Sequence, residues 1–296
     1  MKKKILITGS GGFIGRNIME SFLPEKYDFT VLKSSQVNLL EEGAVNNFFK
    51  GRYFDALLHV ACKPGHRNAC DGTNIFYSNV RIFENLARHT DKIGRFINFG
   101  SGAIYDNSQD VRQAREEDAF LRLPQDEHGF CKYVVQKRIL TLSDFVDLNI
   151  FGIFGKYEDW EIRFISNCIA KTLFDMPPTL RRDRIFSYLF VEDLPPILDF
   201  FISASALKHK AYNITPDGEV SLKEAAKTVL EISGKNLELK TAQEGFGPSY
   251  SGSNARLKGE FSEAKFTPLA AAVGKLYNWY RENKNMLDKE LLEYNK

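Results

Sequence analysis

The chain has 296 residues, with 40 Lys and Arg against 38 Asp and Glu, a formal charge of +2. That balance creates no field that would gather nucleic acid or an anionic membrane, so neither is an expected partner. Four cysteines, Cys62, Cys70, Cys131 and Cys168, form no CxxC pair and no secreted framework; reduced thiols in a cytoplasm fit them, and no metal site is expected.

Behind the basic Met1-Lys2-Lys3-Lys4 the first apolar run ends after three residues at Thr8-Gly9, too short for a signal sequence. No window reaches the roughly 18 to 20 apolar residues of a membrane span, the nearest being the interrupted stretch 197–207. From the start of the chain β-rich runs alternate with helical periodicity: strands are predicted at 4–7, 29–33, 55–61, 95–100 and 146–151. Between them Ile14, Ile18 and Phe22 repeat at four-residue spacing until Pro24, and 75–87 repeats similarly. This pattern predicts an α/β fold, a Rossmann-type doubly wound parallel sheet. After about Gly155 the pattern loosens into helices at 161–174, 221–232 and 269–282 with short strands at 185–191 and 211–214, a smaller C-terminal α+β lobe. The expected division is a dinucleotide-binding domain over 1–155, completed by about 185–205, and a substrate lobe over 156–296. Pro177-Pro178 and Gly245-Phe246-Gly247-Pro248 mark loops where substrate contacts tend to lie.

The segment from Ile5 to Gly15 places Gly9, Gly12 and Gly15 between the first strand and the first helix. A turn passing a diphosphate needs one residue free to take unusual φ, one without a side chain where phosphate approaches, and one where helix and strand pack closely. The three glycines fill these needs, and Phe13, Ile14 and Arg16 open the helix whose amides would face the phosphates. The second strand ends in Lys33-Ser34-Ser35, with no carboxylate for an adenosine ribose; Lys33 and Arg16 could neutralise a 2′-phosphate, which favours NADP, with NAD as the alternative.

Thr8-Gly-x-x-Gly-x-x-Gly15, His59-Val-Ala-Cys62, Asn79 and Gly100-Ser101-Gly-Ala-Ile-Tyr105 together resemble the extended short-chain dehydrogenase/reductases, within them the NAD(P)-dependent nucleotide-sugar epimerase/dehydratase group. The resemblance continues through Gly129-Phe-Cys-Lys132, Phe151-Gly-Ile-Phe-Gly155, Phe190-Val-Glu-Asp-Leu194 and Tyr212-Asn-Ile214. The short second-strand region looks most like the 4-keto-sugar reductases of GDP-fucose synthase type. The resemblance implies a catalytic set of Ser101 and Lys132, Lys132 also holding the nicotinamide ribose, with His128 standing where the family has tyrosine. His128 and Lys132 share a helix face at this spacing. An imidazole beside an ammonium favours the neutral form, which suits a base and hampers an acid, and its ionisation is expected in the neutral range. Tyr105 is the nearest substitute proton donor and a substrate contact. The family's diphosphate arginine aligns with Phe186, and Arg184, two residues earlier, is expected to replace it. His59 and His66 are expected to be structural or loop residues rather than catalysts.

The resemblance further implies reduction of a 4-keto-6-deoxy nucleotide sugar for surface-polysaccharide synthesis, in a homodimer pairing the helices near 75–87 and 132–142. The alternatives are a 4-epimerase or dehydratase with tightly bound NAD, and a dinucleotide or nucleotide-sugar binding protein without catalysis.

Overall fold

The computed structural model describes residues 1–66 and 68–293. Six parallel strands form its central sheet: β1 (Lys4–Thr8), β2 (Asp28–Leu32), β3 (Ala56–His59), β4 (Phe96–Ser101), β5 (Phe145–Ile150) and β6 (Ala211–Ile214), in spatial order β2-β1-β3-β4-β5-β6. Alternation along the strands builds a core on each face. Ile5, Ile7, Leu58, Ile97 and Val146 pack with Ile18 and with Leu194, Ile197 and Phe201 of the Leu194–Ser203 helix. Leu6, Leu57, Phe96 and Phe145 pack on the opposite side with Phe49, Phe83, Leu86, Val135 and Ile139. These come from the helices Glu42–Phe49, Ile75–Ala87 and Glu127–Leu140.

The chain leaves β1 for β2 on one side and returns to β3 on the other, so the ends of β1 and β3 diverge from their crossovers and open a crevice there. The sheet stops at β2. The segment after it runs straight into the Glu42–Phe49 helix, pinned by Asn85 Nδ2 donating to the Leu39 carbonyl at 2.8 Å, which is why the second-strand region is short.

A second core gathers Ile165, Ile169, Ala225, Val229, Val273, Leu276 and Tyr280 from the helices Phe164–Leu173, Leu222–Ser233 and Leu269–Glu282. Ser221 and Glu224 form a capping box at the start of Leu222–Ser233, a device contributing about 1 kcal/mol.

Several elements differ from expectation. Residues 211–214, read with the smaller lobe, are instead the edge strand β6 of the main sheet; all four are buried, which a four-residue window shares with any core strand. The run 185–191 breaks at Ser187 into Ile185–Phe186 and Tyr188–Phe190, which pair in different small sheets. The first helix ends at Met19, and Pro24 sits in the first turn of a separate helix, Leu23–Lys26, where its missing N–H costs nothing. The helix predicted from Glu161 begins at Phe164, because Asp159 takes the Glu161 amide at 3.1 Å and holds that stretch as a turn. No helix among the described residues is long and apolar enough to cross a membrane.

Candidate active site

The glycine turn at the end of β1 has three distinct steric reasons for its three glycines. Gly9 has φ +71°, and a Cβ there would fall 2.6 Å from the Ala61 amide nitrogen beyond β3. At Gly15 a Cβ would fall 2.2 Å from the Gly9 carbonyl, so helix and turn could not close. Gly12 differs: an added Cβ would meet only the Gly9 carbonyl at 3.5 Å, an ordinary contact, so the protein itself does not require glycine there. The open side of Gly12 is the space a diphosphate would take, and the turn therefore fits the group its sequence predicts. Gly12 N–H donates to Gly9 O at 3.1 Å, and Arg16 N–H to Gly12 O at 2.9 Å, fixing the turn against the helix.

Thr8 ties the turn to β3: the Ala61 N–H donates to Thr8 Oγ1 at 3.2 Å, and Thr8 Oγ1 lies 3.0 Å from His59 Nδ1. Burial, then the Lys132 ammonium, pushes the His59 imidazole down to about 3, so it is a neutral packing partner. His66 lies 3.9 Å from Asp159 in the loop over the cleft.

A cleft of about 690 Å³ opens along the ends of β1, β3 and β4, within the range of small-molecule sites. Phe13, Ile14, Ser101, His128, Lys132 and Arg184, all singled out in the sequence, line it. The Asp126 side chain caps the Glu127–Leu140 helix by accepting from Gly129 N–H at 2.8 Å, which sets the helix phase that turns His128 and Lys132 to the same side. Lys132 Nζ donates to the Phe99 carbonyl at 2.7 Å, fixing the ammonium beside β4. Burial, and after it Lys132, pushes the His128 imidazole down to about 4; Arg163 adds to this and Asp126 opposes it. The imidazole is neutral at physiological pH, which corrects the expectation of a neutral-range ionisation: burial outweighs everything else and is invisible in the spacing.

Tyr105 is not brought to the cleft. Its hydroxyl donates to Asn213 Oδ1 at 2.7 Å, its ring stacks on Phe151 at 5.7 Å, and it is 7% exposed. Burial, then Glu116, raises its pKa far above the usual phenol value. The expected substrate contact and proton donor therefore faces the core, because the turn Gly102–Tyr105 is helical and carries its fourth side chain inward. Arg184 does face the cleft, its Nε donating to the Pro248 carbonyl at 2.6 Å and its guanidinium 5.1 Å over Phe186, the residue it was expected to replace.

The two cations expected at the adenosine end stand apart in character. Lys33 is exposed one residue past Leu32, the register partner of Thr8, and its side chain has no ion pair among the described residues. Arg16 instead lies over the Tyr157 ring at 4.0 Å, beside Glu20.

Among the cleft residues that escaped the sequence reading, three carry polar chemistry of consequence. Arg163 precedes the Phe164–Leu173 helix and had no local signal. Glu158 is buried just past the Gly155 turn and accepts a hydrogen bond from Ser166; burial pushes its carboxyl up to about 8. Tyr250 lies two residues beyond the Gly245–Pro248 loop, the one signal that could have found it.

The sequence model of the NAD dependent epimerase/dehydratase family matches residues 5–215, and the chain belongs to that family, the extended short-chain dehydrogenase/reductase group that its motifs resemble. It is 22% identical over 255 residues to a GDP-L-colitose synthase of Yersinia pseudotuberculosis, covering 78% of this chain and 82% of that one. A GDP-L-fucose synthetase from Naegleria fowleri bound to NADP superposes with a TM-score of 0.82 at 15% identity, covering 97% of this chain and 95% of the other. The UDP-glucose 4-epimerase of Thermotoga maritima gives 0.81 at 16% identity, covering 95% and 99%. The chain is thus an enzyme of a family of nucleotide-sugar epimerases, dehydratases and reductases that use NAD or NADP.

Proposed function

We propose that this chain uses NADPH to reduce the 4-keto group of a nucleotide-linked 4-keto-6-deoxy sugar, as a cytoplasmic homodimer supplying surface-polysaccharide synthesis. The observation that carries the reading is the convergence of Ser101, Lys132 and Arg184 on one cleft that Phe13 and Ile14, the residues following Gly12, also line. In it the dinucleotide supplies the hydride, the glycine turn and Lys132 hold it, Ser101 hydrogen-bonds the sugar's reacting oxygen, and Arg184 takes the diphosphate. Exposed Tyr77, Phe130 and Leu140, on the helices expected to pair, support the dimer. The test is a panel of GDP-, UDP- and dTDP-4-keto-6-deoxyhexoses with NADPH, followed by loss of dihydronicotinamide absorbance. Reduction of at least one member is expected; no turnover with any would overturn the reading.

The cofactor choice rests on Lys33. NADPH is expected to bind more tightly than NADH in a fluorescence titration, and Lys33→Ala to remove most of that preference while hardly changing NADH affinity. Equal affinities in the wild type would defeat it.

A second reading, a 4-epimerase or dehydratase with tightly bound NAD, is favoured by one observation, the neutral His128 imidazole. That is the form a base needs to take a hydroxyl proton in the opening oxidation. Under it His128→Gln lowers turnover by about 100-fold and native mass spectrometry finds NAD retained on each subunit. Under the reductase reading the imidazole only accepts a hydrogen bond from the sugar, the loss stays within about 10-fold, the cofactor is lost on desalting, and the same spectrum reads a dimer. In either case kcat carries no histidine limb between pH 6 and 8; an acid limb from His128 belongs near pH 4, with activity falling as the imidazole gains its proton.

A further inference from the structure

Reduction of a ketone needs a proton for the new hydroxyl, and the groups first expected to give it do not fit. His128 is held unprotonated, and Tyr105 is turned into the core on Asn213. Two other phenols line the cleft. Tyr188 lies with the buried Glu158, whose charge is the strongest acting on it after burial, at the lobe's core rather than at the sheet edge. Tyr250 is placed differently. Its hydroxyl lies against the turn that follows Ser101: a Cβ added to Gly102 would fall 2.7 Å from its oxygen, so the residue after Ser101 must be small for the phenol to reach that spot, and both Ser101 and Tyr250 line the cleft.

From this placement we infer that the Tyr250 phenol is the general acid of the cleft, giving its proton to the substrate oxygen that Ser101 holds. The inference rests on the reductase reading. In the step, the carbonyl carbon gains the hydride and forms its new C–H bond while the C=O π pair moves to oxygen. That oxygen takes the Tyr250 proton, the O–H bonding pair stays on the phenolate, and the phenolate recovers a proton from water in the open cleft. The step consumes only the dihydronicotinamide and one proton from solvent.

The surroundings suit this task. Tyr250 opens the short strand Tyr250–Gly252, paired with Val111–Ala114 and in register with Phe186, so its backbone is fixed by neighbours on both sides. Its ring is wedged between Phe151 at 5.1 Å and Phe186 at 5.6 Å. Burial pushes the phenol up to about 12, keeping it protonated through the neutral range, while the nearby Ser101 hydroxyl, Arg163 and Arg184 favour the phenolate once formed and Asp126 opposes it. The two arginines thus stabilise the charge that appears as the proton leaves.

Tyr250→Phe keeps the ring and its packing. With a 4-keto sugar that the wild type reduces, it is expected to lose about 100-fold or more in kcat while NADPH affinity and Tm stay unchanged. An active wild type and an equally active Tyr250→Phe overturn the inference and leave the reductase reading standing; a wild type that reduces no 4-keto sugar overturns both. Should the phenylalanine variant fold poorly, 3,5-difluorotyrosine placed at position 250 provides a more acidic phenol of nearly the same shape. The alkaline limb of kcat should then move to lower pH, and an unmoved limb overturns the inference.

Discussion

Gly12→Val is expected to cost at least 10-fold to 100-fold in dinucleotide affinity while leaving Tm within a degree or two of the wild type. The backbone at Gly12 is extended, φ −82° and ψ 177°, which any residue adopts, and a Cβ there touches only the Gly9 carbonyl at 3.5 Å. The added side chain therefore finds room in the protein and fills space reserved for the diphosphate, and an overpacked contact of about 1 to 3 kcal/mol corresponds to that loss. Gly15→Ala is the contrasting control. Its Cβ would lie 2.2 Å from the Gly9 carbonyl and 2.6 Å from Ser10 Cα, both backbone atoms that cannot swing away, so this smaller substitution should lower Tm markedly and impair binding only as a consequence. Thermal melts and NADPH titrations on the two variants separate the effects. If Gly12→Val binds normally, the diphosphate does not pass that turn.

The second large effect concerns Glu158. Its carboxyl is pushed from the ordinary 4.5 up to about 8 by burial, against the hydrogen bond from Ser166 and the charge of Arg163, which favour ionisation. Because the folded pKa is raised, the folded state binds the extra proton: stability from this group is full below about pH 4.5 and is lost as pH rises toward 8. At about 1.4 kcal/mol per pKa unit, the loss by pH 8 is on the order of a few kcal/mol. Glu158→Gln keeps an oxygen for the Ser166 hydroxyl and cannot ionise. The variant should therefore match the wild type near pH 5 and exceed it increasingly toward pH 8, giving a flatter plot of unfolding free energy against pH. Parallel curves for the two proteins would show that Glu158 is charged in the folded state.

Much of the site was legible because it rests on short-range rules. The spacing of Gly9, Gly12 and Gly15 between a strand and a helix is a local steric requirement, and the turn has the conformation that requirement dictates. The four-residue step from His128 to Lys132 places both on one helix face by helix geometry alone, and both line the cleft. The β-rich runs likewise predicted five of the sheet strands to within a few residues, since an apolar run buried on both faces of a parallel sheet is written into each segment separately.

What the chain by itself did not reveal depends on contacts between distant segments. Whether residues 211–214 join the main sheet or the smaller lobe is decided by β5, which offers a free edge beside Phe145–Ile150. Tyr105 and Tyr250 are both phenols near Ser101 in some sense, one by sequence and one by space; Asn213 draws the first inward, and the space above Gly102 admits the second. The protonation of His128 and Glu158 follows the same division. Residue type sets their starting acidity, but the shift to about 4 and to about 8 comes chiefly from desolvation, which exists only once both lobes have closed around them.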